Sequence, residues 1–219
     1  MSAFAGRDDI AHAWGVAADD YVRQFFDELD RKPFDREFLD RYAFAVAGRE
    51  PVVDMGCGPG HIARYLAERG VEVFGVDLSP GMIETARAMN PDLRFEVGDM
   101  TALDAGDQSW AGIVAFYSLV NLPATEVPVA LAEFRRVLRD DGLLAYSVHG
   151  GEGEIHRDEW DGEPVRLSFS LFALDDLVAW TEGAGFVIEE AISRPPYPDE
   201  HPTQRLYVRA RVGAPGRLP

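Results

Sequence analysis

Residues Val52 to Gly60 read VVDMGCGPG and run into His61-Ile62-Ala63-Arg64-Tyr65-Leu66. A short apolar strand enters this stretch, glycines turn the chain sharply, and a helix leaves it. Gly56, Gly58 and Gly60 stand at alternate positions, and only glycine lacks the Cβ that would keep a ligand from the backbone. Two glycine-rich readings compete. The dinucleotide pattern GxGxxG, counted from Gly56, needs Gly or Ala at position 61, where helix and strand pack closely, and the chain has His61. The pattern present is DxGxGxG, with Asp54 two residues before the first glycine. A carboxylate there disfavours a pyrophosphate and suits a cationic ammonium or sulfonium group.

The 219 residues fit one α/β domain with an appendage, and 47% hydrophobic residues is ample for a buried core. A formal net charge of −17 repels a phosphate backbone, so neither nucleic acid nor an anionic membrane is expected as a partner. Cys57 is the only cysteine, which rules out an intrachain disulfide and a cysteine-based zinc cluster and fits a reducing compartment. Inside the glycine turn its small side chain lets the loop close while its backbone meets the ligand. There is no apolar run of roughly 18 residues and no basic-then-apolar leader, so a cytoplasmic protein is expected. Composition leaves the oligomeric state open.

Residues 1–12 carry little pattern and are expected to fray. Val16, Tyr21, Val22, Phe25, Phe26 and Leu29 then recur at helical spacing. Pro33 breaks the chain, and Asp35 is placed to cap a second helix ending near Gly48. This pair of helices, residues 1–48, reads as a cap, with Tyr21, Phe25 and Lys32, the only lysine, as candidates to line a crevice beneath it.

Strands are expected at Pro51–Met55, Val71–Val76, Leu93–Val97, Trp110–Tyr117 and Leu143–Val148, with helices between them, a rhythm that implies a parallel sheet. Asp77 ends the second strand roughly twenty residues beyond the glycine turn, where an acid in nucleotide-binding α/β folds takes both ribose hydroxyls. Ser79 and Pro80 already supply the helix start, which frees Asp77 for a ligand. Asp99 ends the third strand. Ligands in such sheets collect at the carboxyl ends of the strands, where Gly56, Asp77, Asp99 and Tyr117 all fall. Residues 149–164 are polar, aromatic and irregular and read as a substrate loop, followed by an extra strand over Val165–Leu171. A helix from Asp175 or Asp176 to Gly185 and strands at Phe186–Ile192 and Arg205–Val212 complete the domain over 49–212. Residues 213–219 are expected to be a disordered tail.

Asp54, Gly56, Gly58, Gly60, Asp77, Asp99 and the end of the fourth strand together resemble the class I S-adenosylmethionine (SAM) methyltransferases over roughly residues 49–150, most closely the small-molecule group that includes quinone-biosynthesis enzymes. The resemblance implies a Rossmann-like α/β fold: a seven-stranded, mostly parallel sheet with an antiparallel last strand, helices on both faces and an N-terminal helical cap. It further implies that the glycine turn with Asp54 and Cys57 holds the methionyl part of SAM and Asp77 the ribose. Asp99 and Met100 would hold the adenine, with Leu78 on its other side. Phe116 and Tyr117 would border the sulfonium, and Tyr21 would reach the cofactor from the cap. The acceptor would be a small molecule.

Many relatives place a histidine shortly after the fourth strand, where this chain has Asn121. The Asn/Asp-Pro-Pro-Tyr motif of amino-group methyltransferases acting on DNA or protein glutamine is not matched by Phe116-Tyr117-Ser118-Leu119, and Pro195-Pro196-Tyr197 comes too late and reads as a loop. Should the acceptor need a base, the candidates are His149, His156 and Tyr117. No metal site is expected: His149, Glu152, Glu154, His156 and Asp158 lie among flexible glycines without helical His spacing. The alternatives are an RNA or protein methyltransferase, and a SAM-fold protein that binds the cofactor without methyl transfer.

Overall fold

Strand β1 (Val52–Met55) is buried at every position, as a strand covered on both faces must be. In the computed structural model, which describes residues 4–213, it lies inside a seven-stranded sheet. β2 (Val73–Asp77) and β3 (Phe95–Val97) extend the sheet on one side, all in parallel. On the other side come β4 (Trp110–Phe116) and β5 (Leu138–Gly150), also parallel. The seven residues of β4 are all buried, which fits its almost unbroken apolar sequence and its central place. Beyond β5, the last strand of the chain inserts antiparallel between β5 and Phe186–Arg194, giving the expected mostly parallel sheet with an antiparallel final strand.

Helix α1 (Arg7–Phe25) starts well inside the stretch expected to fray, while residues 1–3 lie outside the described residues. Its first turn carries Asp8 and Asp9, favourable beside the positive end of the helix dipole. The face it buries is Ile10, Ala13, Ala17 and Ala18, whereas Val16, on the expected stripe, is exposed. Small residues explain the difference. A Cβ on Gly81, in α4 (Pro80–Met89), would stand 2.8 Å from the Cα of Gly15, so the two backbones touch and no bulky side chain fits between them.

Helix α2 (Pro33–Val46) has Pro33 at its first position, where the missing N–H costs nothing. Asp35 is therefore no cap. It is buried one turn in, paired with Arg194 at 3.1 Å and accepting a short hydrogen bond from the Tyr207 hydroxyl. Helix α3 (His61–Ala67) follows the glycine turn, α5 (Val127–Val137) precedes β5, and α6 (Leu174–Gly183) packs near the far edge of the sheet.

The segment 149–164, read as an irregular loop with an extra strand beyond it, is a hairpin. β6 (Glu154–Trp160) pairs antiparallel with β7 (Glu163–Ser170) across Asp161-Gly162, both at positive φ, the left-handed pair that a two-residue hairpin turn requires. The hairpin packs on α1 through a small core of Ala5, Ile10, Ala13, Val165 and Leu167. β8 (Phe186–Arg194) and β9 (Gln204–Val212) close the sheet. Gly213 still donates its N–H to the Gly185 carbonyl at 2.9 Å; the rest of the expected disordered tail, residues 214–219, lies outside the described residues. Among the described residues no helix is long and apolar enough to cross a membrane.

Candidate active site

The strand ends of β1, β2, β3 and β4 open into one crevice roofed by α1. The three glycines of the turn serve different ends. Gly56 (φ 68°) passes under β4: a Cβ there would stand 2.2 Å from the Ser118 Cβ. Gly60 (φ 81°) is a packing glycine, since a Cβ would meet Phe95 at 2.7 Å and Asn90 at 2.8 Å, and it does not line the crevice. Gly58 (φ 51°) alone meets nothing within 4 Å, and it does line the crevice. It is the cradle.

Asp54 does not line the crevice either. Its carboxyl is buried and accepts the Ala63 N–H at 2.9 Å, tying β1 to the start of α3. Burial pushes it up to about 8, so at neutral pH it carries its proton. Cys57 lines the crevice but is buried, and burial, with Asp77 and Asp54 nearby, raises its thiol well above the ordinary value. That is an inert cysteine.

Asp77 braces the turn from β2: its Oδ2 accepts the Gly58 N–H at 2.8 Å and its Oδ1 the Ser79 N–H at 2.8 Å. Burial raises its pKa against the pull of these bonds. Ser79 caps α4 as expected, accepting from Met82 N–H. Asp99 accepts from the Thr101 N–H at 2.8 Å and hydroxyl at 2.7 Å and from Arg7 Nε at 3.0 Å. Burial opposes its ionisation, but these donors hold it below the usual carboxylate range. Leu78, Met100, Phe116, Tyr117 and Tyr21 line the same crevice.

Several lining residues carried no signal in the sequence. Arg7 bridges Asp99, Thr101 and Glu126 from the first turn of α1. Trp14 donates its Nε1–H to Asn121 Oδ1 at 3.3 Å, so the position occupied by histidine in many relatives here holds the cap in place. His61, whose position departs from the dinucleotide pattern, is buried with Nε2 3.2 Å from Glu28 Oε1 and Nδ1 without a hydrogen-bond partner. An open glycine cradle, two strand-end acids, aliphatic and aromatic walls and an unpartnered imidazole nitrogen fit SAM. Gly58, Asp77, Asp99, Leu78 and Met100 are the residues that would hold it.

A second crevice adjoins the first and shares Trp14, Tyr21 and Tyr117 with it. α1, the hairpin and the loop between β8 and β9 surround it. Trp14 lies 5.4 Å from Tyr21 and 5.6 Å from Trp160, ring centre to ring centre, and Tyr21 lies 4.7 Å from Phe25, which makes one aromatic wall. On the floor, Lys32 Nζ meets Glu28 Oε2 at 2.6 Å. Burial alone would raise Glu28, but His61 and Lys32 outweigh it and hold the carboxyl down at about 2.

The three side chains read as bases are differently placed. Tyr117 (φ 50°) sits at the junction, its hydroxyl 3.3 Å from that of Tyr207; burial and the charge of Asp35 push its phenol well above the ordinary value, so it keeps its proton. His149 lines the second crevice with Nδ1 2.9 Å from the Thr203 hydroxyl. Burial, with Arg205 and His201 nearby, lowers its pKa to about 3, which leaves a neutral ring of little basicity. His156 lines neither crevice: on β6 it meets the Ser168 hydroxyl at 2.9 Å and Glu154 at 3.3 Å. Among the described residues no three His, Cys, Asp or Glu side chains are grouped to hold a metal ion.

Comparison with known proteins bears on this site. A family described as "Methyltransferase domain" matches residues 52–142. An N-demethylindolmycin N-methyltransferase of Streptomyces griseus is 30% identical over 189 residues, 73% of this chain and 79% of that protein. A malonyl-(acyl-carrier protein) O-methyltransferase of Pseudescherichia vulneris is 28% identical over 179 residues, 80% of this chain and 67% of the other. The chain spans about half to two thirds of the length of the malonyl-(acyl-carrier protein) O-methyltransferases it matches. The solved structure of a DhpI–SAH complex has a TM-score of 0.74 at 19% identity, covering 97% of this chain and 99% of that one, a likeness of fold.

Proposed function

Because the chain belongs to the class I SAM-dependent methyltransferases, we propose that it moves a methyl group to a small-molecule acceptor seated in the aromatic second crevice. The observation that carries this reading is the junction: Trp14, Tyr21 and Tyr117 line both the cofactor crevice and its neighbour, so a flat molecule in the second lies directly beside the first. When bound, SAM supplies a methyl group already activated as a sulfonium. The chain's own contribution is placement in a water-poor cleft, an effect that can lower a barrier by roughly 7–11 kcal/mol. None of the three side chains read as bases is poised to take a proton, which suits an acceptor whose lone pair is free at neutral pH. The relatives' names attach methyl transfer to oxygen in one case and nitrogen in the other, so the frame does not dictate the acceptor atom.

The test is to incubate the purified chain with SAM and panels of small aromatic acids, amines and phenols, and to measure S-adenosylhomocysteine formed above the acceptor-free background. Turnover with one panel is the expected result. Tight cofactor binding with no turnover in any panel would leave a binding protein instead.

A further inference from the structure

The second crevice is at odds with the rest of the chain in charge. The chain carries −17, yet Arg23, Arg31, Lys32, Arg157 and Arg205 line this crevice against the carboxylates Glu28, Asp199 and Glu200. At the rim Arg31 pairs with Asp199 at 3.1 Å and Arg23 with Asp20 at 2.9 Å. Inside, the acids are already engaged. Glu28 gives Oε1 to His61 and Oε2 to Lys32. Glu200 gives Oε1 to Arg194 at 3.0 Å, and Oε2 to Arg194 at 2.8 Å and the Tyr197 N–H at 2.7 Å.

Lys32 pairs closely with Glu28 and reaches Glu200 at 3.5 Å, whereas, among the described residues, the one carboxylate near Arg205 is Glu200, 3.5 Å from its Nε. Arg205 is 3% exposed, its Nη groups donate to the neutral oxygens of Thr203 and His201, and its Nε has no hydrogen-bond partner. Arg157 lies 5.2 Å from the Trp160 ring centre and, among the described residues, pairs with no carboxylate. A buried cation with an open donor is costly unless an anion completes it. Lys32 and Arg205 also flank one ring, 5.4 Å and 5.9 Å from the centre of Tyr117, at the junction of the two crevices.

We propose that the second crevice selects an acceptor with an aromatic body and a carboxylate, the body along Trp14, Tyr21 and Trp160 and the carboxylate between Lys32 and Arg205 with Arg157 at the entrance. The inference rests on the reading of this crevice as the acceptor site. A planar carboxylate brings two acceptor oxygens to two separate donors, whereas an amine would find every inner carboxylate oxygen occupied.

Calorimetry on the full chain saturated with S-adenosylhomocysteine tests this with 3-phenylpropanoate, its amide and 3-phenylpropylamine as probes. The acid is expected to bind about tenfold more tightly than the amide, and more tightly than the amine. Lys32→Gln should shrink the preference to about threefold or less, and Arg157→Gln, at an exposed position, should lower it about twofold. Equal affinity for acid and amide, tighter binding of the amine, or no binding of the acid up to about 10 mM overturns the proposal. If S-adenosylhomocysteine titrates normally in that experiment the cofactor reading survives; if it does not bind, both fall.

Discussion

The first and second crevices share three aromatic side chains, yet they are built differently. The first is built around a backbone turn, shaped by Gly56, Gly58 and Gly60, braced by Asp77 and closed by a helix start. The second is made of side chains from α1, the segment before α2, the hairpin and the loop after β8, joined by the buried chain His61, Glu28, Lys32, Glu200 and Arg194. Backbone turns allow few substitutes, whereas a side-chain wall can be recoloured without moving the frame.

The sharpest way to break the comparison is Gly56→Ala. A Cβ at 2.2 Å from Ser118 combined with a left-handed backbone should cost roughly 2–4 kcal/mol, read from urea unfolding, and should abolish S-adenosylhomocysteine binding. Gly58→Ala is the control within the same turn: open space around it limits the stability loss to about 1 kcal/mol, while the methyl group in the cradle still weakens the ligand.

Glu28 tests the other side. Its folded pKa of about 2 lies below the ordinary carboxylate value, so its contribution is complete above the unfolded pKa and disappears as pH falls through the folded one. Glu28→Gln should lose about 3 kcal/mol at neutral pH and flatten the acid limb of stability between about pH 4.5 and 2. A parallel acid limb in variant and parent would remove Glu28 from the network.

Asp77→Ala removes charge-assisted bonds of about 1.5–3 kcal/mol from the turn and from any ribose, so affinity for S-adenosylhomocysteine should fall tenfold or more; unchanged affinity contradicts the assignment. Arg7→Ala should have the smallest effect. Its half-exposed bridge to Asp99 suggests about 1 kcal/mol, seen as a few-fold weaker cofactor with little change in melting.

The same division governs what the sequence disclosed. The parallel strands and the acids at the ends of β2 and β3 were legible because each depends on neighbours within a few residues: an apolar run, a glycine turn, an acid where a strand stops; the antiparallel last strand came only from the family resemblance, since its partners are distant in sequence. Even there, spacing alone did not show that Asp54 is tied to the start of α3 or that Gly60 packs against Phe95 and Asn90. Arg7 was hidden because its partner Asp99 lies 92 residues away. The start of α1 was hidden because its buried face is mostly alanine, with Ile10 its one large apolar residue, which makes no hydrophobic stripe. The hairpin did announce its turn with Asp161-Gly162, but β6 is exposed and charged along most of its length and lacks the alternation that marks a half-buried strand. His149 and His156 look alike in sequence; the fold buries one beside Tyr117 and turns the other away.

One titration bears on all of this most directly: calorimetry of the purified chain with S-adenosylhomocysteine, with NADH in parallel. Saturable binding of S-adenosylhomocysteine in the micromolar range, and none of NADH, is the predicted result. Binding of NADH instead, or of neither, would contradict the account of the turn from Val52 to Gly60 on which the site is built.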